Sequence, residues 1–448
     1  MQGEAPERVS PSDTPQFVIA RPAAPVPIVT YTLIGANVLV YLAMGLSGVS
    51  WTEPSIPDAL RWGADFGPLS LSGQWWRLFT STFVHFGIIH IAFNMWCLYS
   101  LGRSLEFLMG RKAFAATYVA SGMAASAVSL GWRPMGVSAG ASGAIFGIAG
   151  AFASYVYLKR VALTPQSIQQ TQKSLAIFII YNLVWGAAKG GVDNSAHVGG
   201  LLAGAVLGAI VPPVLRFRTR KDVVPMPGFP PDRAEEESHA NRIAWGIICG
   251  STIVLGIGLV GVHSFRLPYA NYGQAAKLVR GGQVDQGIAT LQKLVDSGAD
   301  MPLAPMLLGE IQLDQGNPAA AITPLQRTIA ADPSDLQSVQ NLALSYIGTN
   351  RPAEALVEIA KVISYEASKP AWDAVFIRAI AEGENADYVS ANQDLQSVLR
   401  ANSELTEARD DLARFQGLAN HDPETKLVPL QIPYAKLVVK SDEWPLFP

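Results

Sequence analysis

The chain has 448 residues, 49% of them apolar, only 15% charged, and a formal net charge of -3. A soluble chain carries about 25% charged residues, and the deficit here is local: residues 28–217 hold 16 charges in 190 positions, residues 268–448 hold 37 in 181. That excludes a single soluble domain, a disordered polymer and a protein held to nucleic acid by overall basic charge, and it points to a membrane body with a soluble appendage.

Residues 1–27 are polar and proline-bearing, without the apolar stretch of a cleavable signal peptide, and read as a cytoplasmic N-terminal tail. Uncharged runs follow at 22–52, 78–102, 113–132, 134–158, 174–188, 194–215 and 243–265. A helix needs about 20 apolar residues to cross roughly 30 Å of hydrocarbon. The runs predict seven spans, the fifth being short and extended by Lys173 and Lys189, whose side chains can snorkel. Six spans fill residues 28–217, a linker occupies 218–242, and the seventh span is 243–265. Lys and Arg concentrate in alternate connections: Arg103, Arg111 and Lys112, then Lys159, Arg160 and Lys173, then Arg216 to Arg242. This asymmetry puts the N-terminus and the linker in the cytoplasm and, after seven spans, the C-terminal region on the opposite side.

That region repeats itself with a period of 34: Gly282, Gly316 and Asn350 share one position, Gly287, Ala321 and Ala355 a second, Leu291, Leu325 and Ile359 a third. Each unit reads as two amphipathic helices, predicting two to four tetratricopeptide-like repeats over 268–405 and a tail from 406 to 448. The array predicts a groove for a protein or peptide partner. Its net charge of -9 makes nucleic acid an unsuitable one. The cysteines, Cys97 and Cys249, lie in apolar runs, so neither a disulfide framework nor a cysteine metal site is expected in the soluble part.

Polar groups inside membrane spans are costly and usually functional. Three clusters stand out: Trp75-Trp76-Arg77 followed by His85, His90 and Asn94 at the opening of span two, Gly136 to Gly143 at the opening of span four, and Ala196-His197-Val198-Gly199-Gly200 near the start of span six. His90 and Asn94, four apart, share a helix face. Each cluster also has a plainer reading. Interfacial histidines are common, a serine at a helix start is usually an N-cap, and Gly200, Gly204 and Gly208 suit close helix packing. Jointly they suit chemistry better. A serine hydroxyl becomes a nucleophile when a base takes its proton, and histidine titrates in the useful range. Ser142 would attack a peptide carbonyl, with His197 as base and then acid. Gly200 and Gly204 would let spans four and six approach closely. The Ser142 amide, Asn94 and His90 would supply oxyanion donors. With no carboxylate in spans four or six, the set is a dyad.

These residues resemble the rhomboid family of intramembrane serine proteases, through Trp76-Arg77, His85/His90/Asn94, Gly140-x-Ser142-Gly143 and Ala196-His197-x-x-Gly200. The resemblance covers about 28–217. It implies an all-α polytopic membrane bundle, a six-helix core plus the seventh transmembrane helix, followed by a soluble α-solenoid. By the same resemblance Ser142 is the nucleophile, His197 the base, and His90 and Asn94 part of the oxyanion hole. His85 supports the nearby loop, and Trp76 and Arg77 belong to a structural outer loop. Phe146 stands where a tyrosine often stacks on the histidine; its ring can still stack but lacks the hydroxyl. The implied substrates are single-span membrane proteins in a lipid bilayer, and the implied location is a bacterial inner membrane with the repeats on the periplasmic side. No cofactor and no metal is implied, since His85 and His90 at a spacing of five make a poor site. A non-catalytic rhomboid-like quality-control scaffold is the alternative, but such a scaffold would lack Ser142 or His197. A transporter is disfavoured by the absence of Asp, Glu and Lys from span centres.

Overall fold

The computed structural model describes residues 26–158, 165–189, 192–211, 242, 246, 250, 254, 256–299, 301–365, 371–422 and 432–438, and among them every regular element is helical. The first helix, α1 (Ile28–Leu46), is capped from another helix. The Glu106 carboxylate accepts from the Val29 and Thr30 amides at 3.0 and 2.8 Å and from the Thr30 hydroxyl at 2.7 Å. A carboxylate there satisfies orphan amides and complements the positive helix end. An outer loop follows, carrying short helices α2 (Ile56–Arg61), α3 (Gly67–Ser70) and α4 (Arg77–Thr80) and the 3₁₀ turn Ser81–Phe83.

Two span boundaries differ from the uncharged runs. Span two does not open at 78: residues Arg77–Phe83 lie at 96° to α5 (Ile88–Met109). The chain bends at Gly87, whose φ is 95° and where a Cβ would sit 2.1 Å from the Thr52 carbonyl. His85 therefore belongs to the bend, not to a span. Likewise residues 133–141 form an irregular connection after α6 (Arg111–Trp132), and α7 (Ser142–Tyr157) begins only at the serine. Absence of charge marks burial in lipid or protein; it does not separate helix from buried loop.

The core continues with α8 (Pro165–Lys189) and α9 (Asn194–Ile210). Helices α1 and α6 are each long and apolar enough to cross a membrane, and the bent Arg77–Phe83 and α5 pair adds a third. Helices α7, α9 and α10 (Gly256–Phe265) are apolar but shorter. Of the expected seventh span, 243–265, residues 243–245, 247–249, 251–253 and 255 lie outside the described residues. Helix α9 packs against α7 and α6. A Cβ on Gly200, Gly204 or Gly208 would lie 2.0, 1.8 or 2.5 Å from the carbonyl oxygens of Gly143, Gly147 and Ala151. Where lipid removes the hydrophobic drive between helices, such backbone approach is what holds them.

The C-terminal region forms helix pairs: α11 (Leu267–Arg280) with α12 (Val284–Asp296), α13 (Leu303–Asp314) with α14 (Pro318–Ala331), α15 (Leu336–Gly348) with α16 (Pro352–Tyr365), and α17 (Trp372–Glu384) with α18 (Tyr388–Ala401). The array runs past 405, because α19 (Thr406–Ala419) packs on α18 with Ala408 and Phe415 fully buried. The short α20 (Tyr434–Leu437) folds back on α13. The 34-residue period has a physical basis. Gly282, Gly316 and Asn350 all adopt positive φ at the turn between paired helices, while Leu291, Leu325 and Ile359 are all completely buried.

The array is docked on the membrane core. Helix α11 packs on α3 so closely that a Cβ on Gly273 would lie 1.8 Å from the Pro68 carbonyl. Tyr269, Tyr272 and Ala275 share one apolar cluster with Phe66, Leu69 and Leu71. Arg266 donates twice to the Gly131 carbonyl, at 3.1 and 2.7 Å, and the His263 ring lies 5.8 Å from Trp75. The outer loop is in turn tied to the 133–141 connection, by the Gly67 amide to the Pro134 carbonyl and by an isolated antiparallel bridge between Asp65 and Ser138.

Candidate active site

Ser142 is the first residue of α7, and Ala141, not the serine, occupies the N-cap. Its hydroxyl makes no capping bond; Ser142 Oγ lies 2.9 Å from His197 Nε2. The glycine contacts bring the two helices near enough for that distance. Gly143 and Gly200 meet backbone to backbone one residue beyond the serine and three beyond the histidine. The Phe146 ring stacks on the imidazole at 4.2 Å with an interplanar angle of 9°. Phe146 is thus where the resemblance expects an aromatic ring. His197 Nδ1 has no hydrogen-bond partner among the described residues.

Both pair members line a cavity of about 710 Å³, together with His90 and Asn94. The Phe86 amide donates to His90 Nδ1 at 3.3 Å, which leaves the ring proton on Nε2. That nitrogen and the Asn94 amide both face Gly140: a Cβ there would lie 2.9 Å from His90 Nε2 and 3.5 Å from Asn94 Nδ2. Gly140 has φ 118°, a conformation that side chains rarely adopt, so glycine is required on both counts. Asn94 Nδ2 is buried and has no hydrogen-bond partner among the described residues. An unmade bond of this kind costs about 1–3 kcal/mol, and a donor kept at that cost beside a nucleophile suits a charge that forms only during reaction.

The remaining predicted residues surround this centre. His85 bridges the Phe83 carbonyl, 3.2 Å from Nδ1, and the Ala141 amide, which donates to Nε2 at 3.4 Å. It thereby holds the residue before Ser142. Arg77 is buried and donates to the Leu60 and Ala64 carbonyls at 2.7 and 2.9 Å and to Gln74 Oε1 at 2.7 Å. Trp76 is half exposed, with the Arg77 guanidinium 4.6 Å from its ring. Neither residue lines the cavity; both belong to the outer loop.

Two features escaped the sequence reading. Phe178, Tyr181 and Trp185 of α8 form an apolar wall of the cavity opposite Ile88, Ile89 and Phe93 of α5. Their i, i+3, i+7 spacing was the available signal. The second is Asp193, which lines the cavity one turn before His197. It stands just outside the uncharged run, so a search for carboxylates inside spans passes it by. It caps α9 through the Ala196 amide at 3.1 Å. Burial alone would raise its pKa, but hydrogen bonds from Ser129, Ser138, Ser195 and Ala196 together hold it below the usual carboxylate range. Asp65, fully enclosed in the outer loop, goes the other way: burial pushes it up to about 7, partly offset by the Ser70 hydroxyl.

Comparison with known proteins places the chain among relatives. The rhomboid domain model matches residues 72–213, and a tetratricopeptide repeat model matches residues 272–335. The chain is 31% identical over 332 residues to Rhomboid protease GluP of Bacillus subtilis (strain 168), covering 72% of this chain and 58% of that protein. It is 33% identical over 201 residues to Rhomboid protease AarA of Providencia stuartii, covering 40% and 70%. It is 38% identical over 164 residues to RHOMBOID-like protein 5 of Arabidopsis thaliana, covering 35% and 51%. The chain therefore spans little more than half the length of the Bacillus relative. From its matched domain and from these relatives, the chain belongs to the rhomboid family of integral membrane proteins, with tetratricopeptide-type repeats appended.

Proposed function

We propose that the chain is an intramembrane serine endopeptidase acting on single-span membrane proteins by a Ser142–His197 dyad. The observation that carries this reading is the 2.9 Å contact between Ser142 Oγ and His197 Nε2 in a cavity where an unpartnered Asn94 amide also lies. His197 Nε2 takes the serine proton as Oγ attacks the scissile carbonyl. The oxyanion forms between the Ser142 amide, His90 Nε2–H and the Asn94 amide. Collapse expels the amine, protonated by His197, and leaves an acyl group on Oγ. Water, activated by the same imidazole, then releases the acyl group. The substrate helix must unwind to enter, because a helical peptide bond is sterically shielded and its carbonyl already accepts a hydrogen bond.

The Lys and Arg asymmetry supports a cytoplasmic N-terminus, and the docking of α11 on the outer loop supports a repeat array on the face where the cavity opens. In this reading the location is a bacterial inner membrane, and the array engages substrate ectodomains or partner proteins on the periplasmic side. The test of the activity is reconstitution in liposomes with a model single-span substrate. Wild type should cut it, and Ser142→Ala and His197→Ala should not. An uncut substrate with well-folded wild type would sink the reading. For the array, unchanged cleavage of a native substrate after deletion of 268–448 would remove its assigned role.

A further inference from the structure

His197 lacks the orienting partner that a triad would provide: its Nδ1 makes no hydrogen bond among the described residues. The ring's place is then set by Phe146 stacked on one face and by where the backbone of α9 sits. Along its contact with α7, helix α9 meets backbone at Gly200, Gly204 and Gly208, and Ser154 of α7 donates to the Ala205 carbonyl at 2.7 Å, two turns beyond His197. The smooth His197 end of that contact leaves the position of the imidazole to be fixed elsewhere.

At that end the fixing point is the first turn. Asp193 accepts from the Ala196 amide of its own helix at 3.1 Å and from the adjacent Ser195 hydroxyl. It also accepts from Ser129 near the end of α6, with Ser138, in the connection leading into Ser142, a looser partner of the same carboxylate. Ser138 is itself held at the backbone by the bridge to Asp65 of the outer loop. One carboxylate thus joins the histidine helix to α6, with the serine's entry loop as its looser third partner. It lies four residues from His197, one helical turn away on the same face.

We infer that Asp193 is a positioning residue for the reaction, clamping the register of the His197 helix against α6 through Ser129, with Ser138 of the Ser142 entry loop as a looser partner. This inference rests on the protease reading above. It makes Asp193 a substitute for the missing third member of a triad, acting on the helix and not on the imidazole. Misplacement of reacting groups by about 1 Å can cost about 10²-fold in rate, and that sets the expected size.

The test is steady-state cleavage of a model single-span substrate in liposomes, with the rate of fluorophosphonate labelling and the melting temperature in detergent measured on the same preparations. Asp193→Ala should lower kcat by about 10²-fold with KM held and labelling slowed in parallel. Asp193→Asn keeps an acceptor oxygen and an N-cap, and should recover about tenfold of that loss. Ser138→Ala and Ser129→Ala should each cause a smaller fall in kcat. A folded Asp193→Ala protein with wild-type kcat overturns the inference. So does a set in which kcat follows the melting temperature alone and Asn gives no rescue. Wild type against Ser142→Ala is the control arm: if neither cuts, the protease reading fails and this inference with it, whereas an active wild type with an unchanged Asp193→Ala fails this inference alone.

Discussion

The membrane core and the repeat array are both bundles of antiparallel helices, yet they are held together in opposite ways. In the core the tightest contact, α7 on α9, is made by glycines, with carbonyl oxygens where side chains would be. In the array the contacts are made by Leu325, Ile359, Phe376, Leu395 and Phe415, all completely buried. Water drives the second kind of packing and lipid cannot drive the first, so each region uses what its solvent allows. The core in consequence is a place where backbone and polar side chains come close, and polar chemistry follows from that closeness.

The comparison predicts that truncation hurts the array and that enlargement hurts the core. The largest effect should come from Phe376→Ala, which empties a fully buried ring site in α17. It should destabilise the array by about 3–5 kcal/mol, seen as an earlier array transition in detergent while the core transition stays. A single unchanged transition would show that the two regions do not unfold separately. Next, Asn94→Ala should raise the barrier to cleavage by about 2.7–4 kcal/mol. It should leave the melting temperature unchanged or slightly higher, because the lost amide was buried and unpartnered. A large fall in melting temperature instead would make Asn94 structural. Gly204→Val should destabilise the core by about 1–3 kcal/mol and suppress cleavage, since the added carbons meet the Gly147 carbonyl. Retained activity there would show that α7 and α9 can separate without harm.

The smallest effect is a pH dependence of the array. Asp411 is buried in α19, and burial pushes its pKa up to about 7, opposed by Arg414 and reinforced by Asp410, Glu384 and Glu407. The folded state holds this proton more tightly than the unfolded chain, whose carboxylate titrates near 3.9. Its contribution to stability is therefore full below about pH 4 and is lost as pH rises through about 7. Moving from pH 8 to 6 should stabilise the array by no more than about 1.4 kcal/mol per pH unit for this group, read as a higher melting temperature. Asp411→Asn should flatten the slope; an unchanged slope would assign it to another group.

Much of this was legible in the sequence, for reasons that particular residues make clear. The repeat positions stand out because each must do one fixed thing: Gly282, Gly316 and Asn350 turn with positive φ, and Leu291, Leu325 and Ile359 fill the interior. Ser142, His197, His90 and Asn94 stand out because lipid penalises polar groups, so few remain to choose among. The boundaries at 78 and 134 misled because a buried loop is as free of charge as a span. Asp193 was passed over because it stands one position before the uncharged run, although it lines the same cavity as His197. The dock of Gly273 on Pro68 carries no local signal at all, since it joins positions 205 residues apart and depends on both folds being complete.

The account's central claim is that Ser142 is a nucleophile activated by His197. The most direct measurement is fluorophosphonate labelling of the full chain in liposomes, with the modified residue located by peptide mass. One label per chain on Ser142, absent in Ser142→Ala and strongly slowed in His197→Ala, is the predicted result. A folded wild-type protein that stays unlabelled, or takes the label at another residue, would contradict it.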